Sequence, residues 1–226
     1  MVATLAFDVY GTLIDTHGVI VALARHVGDK APEFSRIWRE KQLEYSFRRG
    51  LMRNYENFSV CTSNALDYTE AYFKVPLSRE DKEELLGVYR VLPAFDDAAE
   101  GLALAGKSGF RMFAFSNGSR DAVETLLKHA SIRDHFIDVV SVDEIKSYKP
   151  DPDVYSHFLN RAGASKADAW LISSNPFDVI GAISHGMRGA WIKRSEDALF
   201  DPWGIKPTLT VNSLLNLADQ LARQLE

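Results

Sequence analysis

Four short polar clusters, each at the end of an apolar run, carry most of the chemistry in this chain. In LAFDVYGTLID the run Leu5–Phe7 ends at Asp8, with Gly11 and Thr12 in the turn beyond it. An ionised carboxylate just past a buried strand is costly unless something pairs or uses it, although turn aspartates are common at strand ends. Ser116-Asn117-Gly118-Ser119 closes a second run and opens a helix. Free N–H groups at a helix start bind anions. Ser119 alone suffices as a helix cap, which leaves Ser116 and Asn117 unexplained. In Lys149-Pro150-Asp151-Pro152 the Asp-Pro pair reads as N-cap and first helical residue, so Lys149 falls in the loop before it. Ser173-Ser174-Asn175-Pro176-Phe177-Asp178 is an ordinary helix start, with Asn175 as cap. It also supplies a second acid, and paired carboxylates often divide roles. Arg39 follows Trp38 in WREK, and arginine is suited to clamping an anion in a dry pocket.

The elements that position these groups follow from periodicity. RMFAFS, DVVS, AWLIS and GAWI are short apolar or β-branched runs ending at Ser116, Ser141, Ser173 and Ile192. Helical segments 120–130, 152–162 and 176–185 separate them. Strands alternating with helices predict βαβ units and a parallel sheet. No strand is expected from Asp15 to Arg90. There Phe34, Ile37, Trp38 and Tyr45 share one helical face, and Phe58, Cys61, Ala65, Tyr68 and Tyr72 form a stripe read as core. Leu85, Leu86, Val88 and Tyr89 mark a shorter helix, and Leu214, Leu217, Leu221 and Leu225 an amphipathic terminal one.

The expected fold is therefore α/β: a Rossmann-like parallel sheet with helices on both faces, interrupted by an all-helical cap. The core takes residues 1–14 and 93–226 and the cap 15–92, with linkers near 14–17 and 92–96. An insertion at the carboxyl end of a sheet sits over the ligand crevice.

The 226 residues suit one domain with an insertion or two small ones, and their 46% hydrophobic content is ordinary for a globular chain. A formal net charge of −5 argues against nucleic acid as a partner while leaving room for a small anion. The single cysteine, Cys61, allows no disulfide framework and no cysteine metal site. No signal peptide or membrane-spanning run is read, so a cytoplasmic location is expected. Cys61 and His17 are assigned structural roles.

With these residues assembled, the chain resembles the haloacid dehalogenase superfamily, and within it the L-2-haloacid dehalogenases of type II. The resemblance rests on AFDVYGTLIDT, WREKQLEY with GLMRNYENF, FSNGS, SYKPDPDVY and SSNPFDVIGA, and it spans nearly the whole length. Superfamily phosphatases carry a second aspartate two residues after the nucleophile and an acidic pair for Mg²⁺ after the fourth strand. Here those positions hold Tyr10 and the segment containing Asn175. No metal and no cofactor are expected.

The resemblance implies hydrolysis of a short (S)-2-haloalkanoic acid to the (R)-2-hydroxy acid through an ester on Asp8. It makes Arg39 the halide acceptor, assisted by Asn117. Ser116 and the backbone N–H groups at Val9 and Tyr10 hold the substrate carboxylate. Thr12 orients Asp8, and Lys149 keeps it ionised. Tyr155, Ser173 and Asn175 orient Lys149, Asp178 and water, and Asp178 activates that water. Tyr10, Leu43, Phe58 and Phe177 line the alkyl pocket. Family members are often dimers, and exposed cap aromatics suit a homodimer. Two departures bear on substrate range: Glu40 replaces an expected glutamine and Phe177 an expected tryptophan. The rival readings are a haloacetate or fluoroacetate dehalogenase, a phosphatase of the same superfamily, and a non-catalytic binding protein on the same fold.

Overall fold

The computed structural model describes residues 3–225. Along the chain run β1 (Thr4–Phe7), α1 (Val19–Val27), α2 (Ala31–Leu51), α3 (Phe58–Phe73), α4 (Arg79–Val88), α5 (Ala98–Lys107), β2 (Arg111–Ser116), α6 (Arg120–His129), β3 (Asp138–Ser141), α7 (Pro152–Ala162), β4 (Ala169–Ser173), α8 (Pro176–Ser184), β5 (Arg188–Ile192), β6 (Leu209–Val211) and α9 (Leu217–Leu225). The strands form one sheet in the order β3-β2-β1-β4-β5-β6, and every neighbouring pair is parallel.

The alternation of each strand divides the core between two faces. Leu5 and Phe7 of β1, Met112 and Ala114 of β2, and Trp170 and Ile172 of β4 pack with α5, α6 and α9. Ala6, Phe113, Phe115 and Leu171 point the other way, toward Tyr155, Phe158 and Ala162 of α7 and Ala182 of α8. Both faces are covered, so β1 to β5 are apolar through their middles, with polar residues only toward their ends. The chain leaves β1 toward β2 and β3 on one side and continues through β4, β5 and β6 on the other. The crevice at the carboxyl ends of β1 and β4 is therefore the switch point where such sheets bind ligands.

Helices α1–α4 follow β1, and their aromatic residues extend the same core that lies on the Leu5 and Phe7 face of the sheet. Phe34 stacks on Phe73 with ring centroids 5.2 Å apart, and Trp38 meets Tyr89 edge-on at 4.9 Å. The Trp38 indole donates to the Thr62 carbonyl at 2.9 Å. Ser78 and Asp81 cap α4 reciprocally. The chain segments flanking this insert are zipped together. Asp15 N–H donates to Pro93 O at 2.8 Å, Phe95 N–H to Leu13 O at 2.9 Å, and Ile14 and Ala94 form an antiparallel bridge.

Several expectations need correction. Helix α5 and strand β6 were not anticipated: α5 carries two glycines, and β6 is three residues long. The stripe on α3 is core only as far as Ala65 and Leu66. Tyr68 is 38% exposed and Tyr72 60%, because the buried face of α3 turns to Leu66, Thr69 and Phe73, the last of which stacks on Phe34. Leu225 is likewise exposed. Neither Ser119 nor Asn175 makes a side-chain cap bond, although each stands at the N-cap position. Among the described residues, no helix is long and apolar enough to cross a membrane.

Candidate active site

The four clusters converge at the carboxyl ends of β1, β2 and β4. Asp8 is buried one residue beyond β1, where its N–H donates to Ile172 O and extends the ladder to β4. Its two oxygens have different environments. Oδ2 accepts from Thr12 Oγ1 at 2.8 Å, Asn175 Nδ2 at 2.7 Å and Ser173 Oγ at 3.3 Å. Oδ1 accepts from Lys149 Nζ at 3.1 Å. Asn175 donates its amide N–H₂ to Asp8 and to Tyr10 O.

Lys149 is 1% exposed, and its ammonium donates to three acceptors: Asp8 Oδ1, Asp178 Oδ2 at 2.8 Å and Phe115 O at 2.9 Å. It also lies 4.2 Å from the centre of the Phe115 ring. Burial works against its charge, but Asp178 and Asp8 outweigh that and hold the ammonium above its ordinary pKa. Asp178 is completely buried. Desolvation pushes its pKa up to about 6 against the pull of Lys149. Its other oxygen accepts from the Tyr155 hydroxyl at 2.9 Å. Burial, reinforced by Asp178, keeps that phenol far from ionising.

A cavity opens on Asp8 from the side of α2. Asp8, Ser116, Asn117, Lys149 and Asn175 form its floor, Tyr10, Leu43, Phe58 and Phe177 its apolar wall, and Arg39 its roof. Its free space is about 10 Å³, room for about one water. Asn117 Oδ1 accepts from the Lys149 N–H at 3.0 Å, so its amide N–H₂ is left to face the cavity. Ser116 Oγ accepts from Gly118 N–H at 3.1 Å. Arg39 reaches down from α2 to Tyr10 O at 3.4 Å and Gln42 Oε1 at 3.2 Å. Tyr10 is pushed up to about 12 by burial, which Arg39 opposes.

Val9, Thr12, Tyr155, Ser173 and Asp178 stand behind this lining. Thr12, Ser173 and Tyr155 hold groups of the site. Val9 is buried, and its carbonyl anchors the turn through Leu13 and Ile14 N–H at 2.9 and 3.0 Å. Asp178 does not line the cavity, and Lys149 and Tyr155 engage both its oxygens. Glu40 faces solvent, paired with Arg36 at 2.5 Å, and leaves the field in the pocket untouched. His17 is exposed and bonded to Asp15, while Cys61 is buried 3.6 Å from the Tyr148 hydroxyl, both outside the site.

Sequence reasoning missed three contributors. Gln42, fully buried, bridges Arg39 to the Tyr89 hydroxyl, and its position three residues after Arg39 on α2 was the available signal. Phe47 of α2 packs edge-on, at 4.9 Å, against Phe177 of the cavity wall. Ser174 locks the turn after Asp8: its N–H donates to Thr12 Oγ1 at 2.8 Å and its hydroxyl to Gly11 O at 2.7 Å. Neither Phe47 nor Ser174 carries a local pattern that distinguishes it from ordinary core or turn.

Comparison with known proteins agrees with this geometry. Residues 2–186 match the family model described as haloacid dehalogenase-like hydrolase. The (S)-2-haloacid dehalogenase of Pseudomonas sp. (strain YL) is 34% identical over 93% of this chain and 90% of its own. Haloacetate dehalogenase H-2 of Moraxella sp. (strain B) is 35% identical over 93% of each chain. The structure of L-2-haloacid dehalogenase from Xanthobacter autotrophicus with chloropropionic acid covalently bound superposes with a TM-score of 0.90 over the full length of both chains, at 29% identity. By its sequence, its sheet and the arrangement around Asp8, the chain belongs to the haloacid dehalogenase-like hydrolase family.

Proposed function

We propose that this protein is a hydrolytic dehalogenase of short (S)-2-haloalkanoic acids, working through an ester on Asp8. The unequal environment of the two Asp8 oxygens carries this reading. Three donors saturate Oδ2, whereas Oδ1 takes one bond from Lys149 and keeps a free lone pair beside the cavity. Oδ1 attacks the halogen-bearing carbon from behind. The C–O bond forms as the carbon–halogen bond breaks, and the centre inverts. The halide leaves with the electron pair toward Arg39 and the Asn117 amide, which stabilise charge that exists only as the bond breaks. Ser116 and the N–H groups at Val9 and Tyr10 hold the substrate carboxylate. The helical insert α1–α4 acts as the cap that excludes water during this step.

Hydrolysis uses the other face of the same arrangement. Water adds to the Asp8 carboxyl carbon, and charge builds on Oδ2, where Thr12, Ser173 and Asn175 already point their donors. Esterification removes one of the two carboxylates that hold the Lys149 proton. Lys149 then passes a proton to Asp178 and takes one from the water, so Asp178 is the terminal base, acting through Lys149. Return of that proton to Oδ1 as the Cγ–Oδ1 bond breaks releases the 2-hydroxy acid, and loss of the second water proton to solvent restores Asp8 as a carboxylate.

Two observations support this reading over a phosphatase. Tyr10 and Asn175 bring no acid to the positions where a phosphatase keeps its general acid and metal ligands. The acids at the centre, Asp8 and Asp178, are both committed to an ammonium. The small cavity favours acids of two or three carbons, in keeping with the resemblance to a haloacetate dehalogenase.

The test measures halide release from L- and D-2-chloropropionate, chloroacetate and fluoroacetate, and Mg²⁺-dependent hydrolysis of an aryl phosphate. Release from the L enantiomer, lost in Asp8→Asn with the fold retained, is the expected result. Phosphate hydrolysis without halide release, or an active Asp8→Asn, overturns the reading.

A further inference from the structure

Arg194 lies two residues past β5 and does not line the cavity, yet it grips the turn that carries the nucleophile's partner. Its Nε donates to the Thr12 carbonyl at 3.2 Å, and its Nη2 donates to the same oxygen. Its Nη1 reaches both oxygens of Asp97 at 2.7 and 2.8 Å. The guanidinium lies 4.1 Å from the centre of the Phe95 ring. Asp97 in turn is fixed by the Ser213 hydroxyl at 2.7 Å and Leu214 N–H at 2.8 Å. Only 15% of the Arg194 side chain and 16% of that of Asp97 are exposed, so water competes weakly for these bonds.

The two ends of this grip lie on opposite sides of the insert. Thr12 is on the segment leaving the sheet, and Phe95 and Asp97 are on the segment returning to it. Between them runs the short antiparallel pairing of Ile14 with Ala94. Thr12 is held at three points: its N–H by Val9 O at 3.3 Å, its Oγ1 by Ser174 N–H at 2.8 Å, and its carbonyl by Arg194. Fixing the amide, the carbonyl and the side-chain oxygen of one residue fixes the direction of its Cα–Cβ bond. That direction aims the hydroxyl at Asp8 Oδ2, 2.8 Å away.

We propose that Arg194 is a positioning residue for the dehalogenation: by binding the Thr12 carbonyl and Asp97 together, it sets the Thr12 hydroxyl on Asp8 and anchors the hinge of the helical insert to the sheet. The assignment rests on Asp8 being the nucleophile. Misplacement of a catalytic contact by about 1 Å costs on the order of 100-fold in rate, so the effect falls on the chemical steps and leaves substrate binding largely intact.

A double-mutant cycle in the full-length chain tests this, with Arg194→Met and Thr12→Val. It reads single-turnover halide release from L-2-chloropropionate, KM and thermal unfolding. Arg194→Met alone slows halide release by about 10- to 100-fold with KM little changed. In the Thr12→Val background it costs far less, because the group it acts through is gone. Equal cost in both backgrounds, or a loss seen in KM alone, makes Arg194 a purely structural residue and overturns the assignment. Arg194→Lys keeps a cation for Asp97 but lacks the fork that reaches Thr12, and it recovers stability without recovering rate. Wild-type rate in Arg194→Lys also overturns it. Should Arg194→Met not fold, Asp97→Asn loosens the same arginine without touching Thr12 and slows halide release in the same direction, and an unchanged rate counts against the assignment. Wild-type protein that releases no halide overturns the Asp8 reading as well, whereas an active wild type with an additive cycle overturns Arg194 alone.

Discussion

Replacing Lys149 by methionine should turn a quiet part of the core into a strongly pH-dependent one. Methionine keeps most of the stem, so packing changes little. What is lost is an ammonium with all three protons bonded: to Asp8, to Asp178 and to Phe115 O. Removing one partner of a buried ion pair costs about 3–5 kcal/mol. Here two carboxylates are left facing the gap, so near pH 8 the loss sits at the upper end, and for a urea slope of about 3 kcal/mol/M the midpoint falls by roughly 1–2 M. The pH dependence follows from Asp178, whose pKa burial has already raised. Without Lys149 it rises further, and the folded protein binds a proton that the unfolded chain, with a carboxylate near 4, releases. Stability in the variant is then greatest near the unfolded value and falls by up to about 1.4 kcal/mol per pH unit as pH rises toward the folded pKa. In the wild type the raised Lys149 pKa has the same sign but acts in a higher pH window. Its contribution is complete below the ordinary lysine value and is lost only as pH climbs through the folded one. Urea unfolding at about pH 5 and about pH 8 measures the difference: the deficit of Lys149→Met should be small at the first and large at the second. A deficit equal at both, or below about 1 kcal/mol at the higher pH, would refute the claim that Lys149 neutralises this buried pair.

Other outcomes follow from the same contacts. Tyr155→Phe removes a hydrogen bond that lowers the Asp178 pKa, so the acid limb of the kcat profile should move to higher pH; an unmoved limb separates Asp178 from proton transfer. Gly181→Ala places a methyl against the Tyr155 hydroxyl and 2.7 Å from Pro150 Cβ. Overpacking of this kind costs about 1–3 kcal/mol, which calorimetry should read as a Tm lowered by roughly 2–4 °C per kcal/mol, with activity falling as Tyr155 is displaced. Phe47→Ala removes the ring packed behind Phe177 of the cavity wall and frees that wall to yield, and it should raise kcat/KM for four-carbon haloacids relative to chloroacetate; an unchanged ratio means chain length is set elsewhere.

The parts of this molecule that were legible in the sequence depend on short-range signals. Strands buried on both faces show as unbroken apolar runs, and helix starts show as Asp-Pro and Asn-Pro, so β1 to β5 and α6 to α8 could be placed within a residue or two. Phosphate chemistry could be disfavoured from Tyr10 alone. The misses share a different cause. Asn175 looks like a cap because its neighbours are those of a cap, and only the fold brings Asp8 within 2.7 Å of its amide. Asp178 looks like an accessible acid at a helix start, and only the depth of α7 and Tyr155 shows that it is sealed behind Lys149. Tyr68 and Tyr72 continue the spacing of a stripe, but the face that packs on the neighbouring helices drifts to Leu66, Thr69 and Phe73, and spacing alone does not choose between the two. Arg194 reads as a surface arginine in a polar loop, because its partners are 182 and 97 residues away in sequence.

The point of insertion matters as much as the insert itself. The segment leaving the sheet runs from Asp8 through Thr12 to Ile14, so the nucleophile, the residue that orients it and the hinge strand lie within seven positions. The free space over Asp8 holds about one water, so a haloacid enters only when α2, with Arg39, Leu43 and Phe47, moves away from Phe177. Movement of α2 loads the linkers, and a linker strand two residues from Thr12 would pass that load to the hydroxyl on Asp8. Three anchors oppose this: Ser174 on the Thr12 hydroxyl, Arg194 on its carbonyl, and the Asp15–Pro93 and Phe95–Leu13 hydrogen bonds that make the two linkers one ribbon. The insert can therefore bend beyond Asp15 while the residues before it stay fixed to β4 and β5. An insertion so close to the nucleophile is workable because the turn is clamped from the opposite half of the sheet, so that opening the pocket and keeping Asp8 aligned become separate motions.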